Sequence, residues 1–157
     1  MQSYTDLIAY QKAYQLSLDI YKSTKKFPKE ELFGIVSQMR RSAVSIPCNI
    51  AEGYCRAHRK EYVQFLNIAF GSCGELETLL TLSKDLGYLV QSDYEIFEKQ
   101  LKDVSRLLWK LIVSLRGRQA KWNILLRARD PIPETIYPWP LRPSTRIDLD
   151  HFKTQNS

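Results

Sequence analysis

Apolar residues recur at every third or fourth position through most of the first 116 residues. One face of an α-helix satisfies that period, and a strand, with its period of two, does not. Leu7, Tyr10, Tyr14, Leu18 and Tyr21 lay an aromatic and aliphatic stripe along a first helix of about residues 5–25. Phe27-Pro28 ends it, because the residue before a proline is pushed out of helical geometry. Leu32, Val36, Met39, Ala43, Ile46 and Ile50 mark a second helix over 30–56. Tyr62, Phe65, Ala69, Cys73, Leu76, Leu80 and Leu86 mark a third over 59–86, closed by Gly87. A fourth follows the capping pair Ser92-Asp93 and carries Ile96, Leu101, Val104, Leu108, Leu111 and Leu115 over 93–117 or longer. With only 6 glycines and few β-branched runs, the composition also favours helix over sheet. Four amphipathic helices of similar length with short connections predict an all-α, up-down-up-down antiparallel four-helix bundle.

Two local features complicate that frame. Pro47 falls inside the second helix and removes the hydrogen bond to the Ala43 carbonyl, so a bend is expected there, or a break into two helices. Asn67, Gly71, Gly74 and Thr78 form a stripe of little bulk on the third helix, which lets another helix approach closely. That helix belongs either to the same chain, the choice slightly favoured, or to a neighbouring subunit. Beyond Gly117, Trp122, Leu125 and Leu126 continue the apolar stripe and extend the expected bundle domain to 1–129. From 130 to 157 the character changes: Pro131, Pro133, Pro138, Pro140 and Pro143 leave neither helix nor central strand room to persist. This Pro-rich extended tail is either a disordered terminus or a segment docked through Ile136, Tyr137, Trp139 and Leu141.

The charge is unevenly placed. The net charge is +6, and from Val104 to Arg129 there are seven basic residues and no acidic one. From Glu75 to Asp103 the balance reverses, with seven acidic residues against three basic. In an up-down-up-down bundle the end of the second helix, the start of the third and the end of the fourth meet at one pole. Arg56, His58, Arg59, Lys60, Arg116, Arg118 and Lys121 then gather there, and Arg40 and Arg41 extend the patch if exposed. Such a patch is the electrostatic footprint of a phosphate-backbone binder. Part of the clustering needs no ligand, since cations at helix C-termini gain about 0.3–1 kcal/mol from the macrodipole. Seven exceed what one helix end requires.

Chemistry-bearing constellations are absent. His58 and His151 have no spaced partners for a nucleophilic triad or a metal site, and Cys55 with His58 offers too few ligands. There is no Walker loop and no dinucleotide fingerprint, and Glu75 and Glu77 do not face each other on a helix. No cofactor and no catalysis are expected. Cys48 and Cys55 would lie about 10 Å apart along one helix, beyond disulfide reach, so Cys48, Cys55 and Cys73 read as free, partly buried thiols. No leader pattern or membrane-length apolar run occurs, which points to a cytoplasmic protein with no membrane contact.

The run from Arg40 to Gly53, Arg-Arg-Ser-Ala-Val-Ser-Ile-Pro-Cys-Asn-Ile-Ala-Glu-Gly, is followed by Phe65-Leu66-Asn67-Ile68-Ala69, Gly71-Ser72, Glu75-Leu76-Glu77 and Lys84-Asp85-Leu86-Gly87-Tyr88. Over about Leu7 to Leu115 the chain resembles the four-helix-bundle family of the 23S rRNA intervening-sequence protein. The resemblance implies a homopentamer with an RNA or nucleic-acid association. The family is similar in turn to the accessory protein of diversity-generating retroelements, a basic pentameric bundle that partners a reverse transcriptase and its template RNA. Pro47, Asn49, Glu52 and Gly53 carry the signature. Their reading is structural: Asn49 and Glu52 sit where the proline frees backbone groups, and Gly53 allows close packing. Cys48 and Cys55 depart from the pattern, and the tail lies outside it. The competing reading is a protein-interaction scaffold that holds its partner through that tail.

Overall fold

A computed structural model describes residues 3–56 and 58–117. They form four α-helices, α1 (Ile8–Ser23), α2 (Ile35–Cys55), α3 (Arg59–Asp85) and α4 (Gln91–Arg116), with short 3-10 turns at Tyr4–Asp6, Thr24–Lys26 and Lys29–Leu32. Each helix packs on the next, and α1 also packs on α4, closing the bundle. Paired contacts give the directions. Ser45 meets Ser72 while Gly53 lies against Phe65, so α2 and α3 run oppositely. Lys12 bonds Asp103 while Asp19 accepts from Gln100, so α1 and α4 do as well. The up-down-up-down arrangement expected from the loop lengths is present.

Local chemistry sets the helix ends. Thr24 Oγ1 donates to the Ile20 carbonyl at 2.8 Å and closes α1. Glu31 Oε2 accepts from the Ile35 amide at 3.2 Å, which supplies α2 with the cap that its N-terminal Gly34 lacks. After α3, Gly87 at φ +75 donates to the Lys84 carbonyl and Tyr88 donates to that of Ser83, a Schellman closure that needs a left-handed residue. α4 begins at Gln91, two residues before the expected start at Asp93. Val90 precedes it without a side-chain cap, and Asp93 instead places its charge in the first turn, where the helix dipole favours it. α4 ends at Arg116, with Gly117 at φ +80. The expected continuation into 119–129 and the tail 130–157 lie outside the described residues.

Leu16, Ile20, Met39, Ile46, Ile50, Leu66, Leu76, Leu80, Leu108 and Ile112 are fully buried and fill the interior. On general transfer grounds each such side chain contributes about 1.5–3 kcal/mol. The expected α2 positions from Val36 to Ile50 are all core, whereas Leu32 lies half-exposed in the turn before α2. In α1 the core stripe is a different one from that read in the sequence. Ala9, Ala13, Leu16 and Ile20 face inward, while Tyr14, Leu18 and Tyr21 are exposed. The helix carries two apolar stripes. The bundle takes the one whose small residues admit close neighbours, and the tyrosine hydroxyls stay in water. Leu86 and Ile96 are likewise outside, and Phe97 and Ile112 take core positions on α4.

The low-bulk stripe on α3 is turned away from the core of the bundle. Gly71 and Gly74 have no atom within 4 Å of a notional Cβ, and Asn67 and Thr78 are exposed. Among the described residues no helix of the chain fills it at Gly71 and Gly74, because the core of α3 lies on the opposite side, along Leu66, Ala69, Cys73, Leu76 and Leu80. Gly53 is the glycine that admits a neighbouring helix: a Cβ there would lie 2.7 Å from Phe65 Cβ and 2.8 Å from Tyr62 Cδ2.

These environments predict opposite outcomes for the same substitution. Gly53→Ala overpacks the α2–α3 contact and is expected to destabilise by about 1–3 kcal/mol. Gly74→Ala, in open space, is expected to stabilise the monomeric bundle by about 0.5–1 kcal/mol through helix propensity. Urea unfolding of the two variants measures both.

Candidate nucleic-acid interface

The site is built on α2, and α2 depends on how the bundle handles Pro47. The helix runs unbroken from Ile35 to Cys55 with Pro47 buried inside it. The proline leaves the Ala43 carbonyl without its usual donor. Ser17 of α1 supplies one: its Oγ lies 2.7 Å from the Ala43 oxygen and 2.9 Å from the Ala13 oxygen of its own helix, with one proton to serve them. Asn49 and Glu52, expected to answer the freed backbone, do other things. Asn49 Nδ2 donates to the Ser45 carbonyl at 2.7 Å and its hydroxyl at 3.0 Å, and Ser45 meets Ser72 of α3 at 2.8 Å. Glu52 pairs with Arg56 at 2.8 Å on the surface. Nothing in the local sequence marked Ser17, 26 positions from the carbonyl it reaches.

With α2 in place, its end, the start of α3 and the end of α4 converge. Arg59 Nη2 lies 3.5 Å from the Ser114 carbonyl, and Arg116 Nη2 donates to Asn67 Oδ1 at 3.2 Å. Arg56, His58, Arg59, Lys60 and Arg116 all expose their side chains at this pole. Arg118 and Lys121 lie outside the described residues.

The cations are not equivalent. Arg56 shares its charge with Glu52, which raises its pKa, and stacks 5.3 Å over the Phe65 ring. Arg59 leans on a carbonyl at the end of α4, the macrodipole role that needs no ligand. Lys60 and Arg116 have no carboxylate partner among the described residues. Beside them an aromatic group unseen in the sequence reading assembles from three segments. Tyr54 packs edge-on to Tyr4 at 6.3 Å and to Tyr62 at 6.1 Å. Burial pushes the Tyr62 phenol up to about 12, and its hydroxyl has no hydrogen-bond partner among the described residues.

Arg40 and Arg41 do not extend the pole. They sit about 22–24 Å along the α2 axis from Arg56. Arg41 is exposed, while Arg40 is half-buried, donates from Nε to Thr24 Oγ1 at 2.9 Å and lies 4.9 Å over the Tyr21 ring. The position of Arg40, one turn into α2, places it at the opposite end of the bundle.

No group of three or more His, Cys, Asp and Glu side chains is placed to hold a metal among the described residues. Cys48 and Cys55 are exposed, contrary to the expected partial burial, because both fall off the inward face of α2. Only Cys73 is buried, and desolvation pushes its thiol up to about 12, which keeps it protonated. No described helix is long and apolar enough to cross a membrane.

A closed four-helix bundle whose second helix carries a buried proline, a serine-asparagine link to the third helix and a glycine at the crossing defines a class. The family model of the 23S rRNA-intervening sequence protein matches residues 5–110, and the chain belongs to that family. Among solved structures it is similar to a protein of unknown function from the S23 ribosomal protein family of Bacteroides thetaiotaomicron. The TM-score is 0.61 and the identity 26%, covering 67% of this chain and 98% of that one. No curated protein matches the chain.

Removing the Ser17 hydroxyl should strand the Ala43 carbonyl. Ser17→Ala is expected to cost about 1–3 kcal/mol. In a Pro47→Ala background, where residue 47 again has an N–H to offer, the same change is expected to cost less than half as much. A double-mutant cycle in urea reads the coupling, and additive effects would disprove the assignment.

Proposed function

We propose that the chain is a non-catalytic nucleic-acid-binding bundle that engages the phosphate backbone through the pole where α2, α3 and α4 meet. The observation that carries this reading is the convergence of Arg59 and Lys60 with Arg116, more than fifty positions later, with Lys60 and Arg116 free of carboxylate partners among the described residues. Membership of a family named for an rRNA intervening sequence supports RNA as the polyanion. Charges of this kind position a backbone without reading its sequence. A reverse transcriptase as protein partner, and a cytoplasmic setting, are finer forms of the same reading.

Self-association belongs to this proposal. The open Gly71 and Gly74 stripe, flanked by exposed Ile68 and Leu82, offers a second copy a close helix approach. In a homopentamer the basic pole would recur five times, so that weak single contacts add through multivalency. A scaffold that holds a protein through the tail is the competing reading.

Binding of structured RNA across a salt series is the test. Affinity is expected to fall steeply as salt rises, and the triple variant Arg59→Gln, Lys60→Gln, Arg116→Gln is expected to lower the log–log slope by roughly 0.9 for each phosphate it no longer neutralises. Arg56→Gln should do less, since Glu52 already holds that charge. Absence of binding at low salt would overturn the proposal.

The mass of the protein in solution tests self-association. Gly74→Leu is expected to shift an oligomer towards monomer while leaving the helical signal intact. A wild-type protein that is monomeric at high concentration would refute this part of the reading.

A further inference from the structure

At the opposite end of the bundle from the basic pole, the turns between α1 and α2 enclose a cleft of about 190 Å³. Its floor is apolar: Phe27 and Val36 are buried, and Pro28 and Leu32 continue it towards solvent. Its rim is cationic, with Lys25, Lys29 and Arg40. Small-molecule sites commonly measure roughly 300–1,000 Å³, so this one suits a single ring or short chain and not an extended cofactor.

The Arg40 guanidinium is positioned before any ligand arrives. Nε is held by Thr24 Oγ1 at 2.9 Å, the Tyr21 ring lies beneath at 4.9 Å, and both terminal nitrogens are without partners among the described residues. A guanidinium fixed through Nε presents a planar fork suited to a phosphate or carboxylate. Lys25 and Lys29 are exposed and form no ion pair among the described residues. Of the nearby carboxylates, Glu30 is exposed beside Lys29 and forms no ion pair among the described residues, and the other two are engaged. Glu31 caps α2 and accepts from the Tyr88 hydroxyl, and Asp19 takes Lys22 and Gln100. Three cations against the one uncommitted carboxylate, Glu30, leave a net charge of about +2, which suits a phosphate's double charge better than a single carboxylate. Next to Leu32 in the chain, Phe33 is 91% exposed.

We propose that this cleft binds a nucleotide, with its base against the apolar floor and its phosphate held by Arg40, Lys25 and Lys29. Two sources share that chemistry: a free mononucleotide, and an unpaired nucleotide of an RNA strand. Unstacked bases are what proteins read in RNA, commonly against apolar or aromatic side chains. The RNA source rests on the reading of the chain as RNA-binding; the free nucleotide does not.

Calorimetric titration of the full chain at low salt tests the cleft, using adenosine 5′-monophosphate, adenosine, inorganic phosphate and a short unstructured oligoadenylate. The monophosphate is expected to bind at least roughly tenfold more tightly than adenosine or phosphate, since floor and rim act together. The double variant Lys25→Gln, Lys29→Gln changes only exposed, unpaired side chains and is expected to lose roughly tenfold in monophosphate affinity. Arg59→Gln, Lys60→Gln, Arg116→Gln should leave monophosphate binding unchanged, which separates this site from the basic pole. Oligoadenylate binding tighter than the monophosphate, and weakened by the same double variant, identifies RNA as the source. Equal or weaker oligoadenylate binding identifies the free nucleotide. The proposal is overturned if the monophosphate binds no better than phosphate, if the double variant is without effect, or if neither monophosphate nor oligoadenylate binds.

Discussion

A proline buried at the centre of a bundle is tolerable only if the carbonyl it abandons finds another donor, and Ser17 provides it from the neighbouring helix. The contact from Ser17 to Ala43 does two things at once. It keeps α2 continuous through Pro47, and it ties α2 to α1. On its other flank α2 is joined to α3 by the Ser45–Ser72 link and by the close approach at Gly53. A polar bond inside a closely packed interior is exacting about geometry, since an unsatisfied carbonyl there has no water to turn to. The register of α1 on α2 and of α2 on α3 is therefore set by a few specific contacts on top of an otherwise permissive apolar core.

The candidate interface follows from that register. α2 and α3 are joined by a three-residue connection, so Arg59 and Lys60 begin a helix beside the end of another. α4 returns antiparallel to α3 and brings Arg116 alongside. The same antiparallel geometry sends Arg40 to the far end, where it joins the turns between α1 and α2. Charges that read as one patch in the chain are thus divided between two poles with different surroundings. One pole is open, half-aromatic and suited to a continuous backbone. The other has an apolar recess suited to a single ring.

Much of this was legible in the residues. The number of helices, their approximate limits, the antiparallel order and the stop at Gly87 followed from periodicity and capping chemistry. At Gly53 a Cβ would meet Phe65 and Tyr62, so α2 and α3 come close there. The identity of the α1 face was not legible, because Tyr10, Tyr14, Leu18 and Tyr21 satisfy a helical period as well as Ala9, Ala13, Leu16 and Ile20 do. Large apolar side chains draw the eye, whereas alanines decide how near two helices can come. The orientation of the Gly71 and Gly74 stripe was similarly open, since a stripe of small residues is compatible with facing either way.

By itself the sequence determined what local chemistry can decide: which segments are helical, where they stop, and that an antiparallel bundle with clustered charge results. Helix periodicity, caps and short loops act over a few residues, so their consequences are written in neighbouring letters. Tertiary structure alone decided which apolar stripe became core and which donor met the Ala43 carbonyl. It also decided which arginines share a pole, and that the Arg40 guanidinium meets an apolar recess. Each of these depends on the relative rotation and register of helices far apart in the chain, quantities fixed by packing and by single long-range hydrogen bonds.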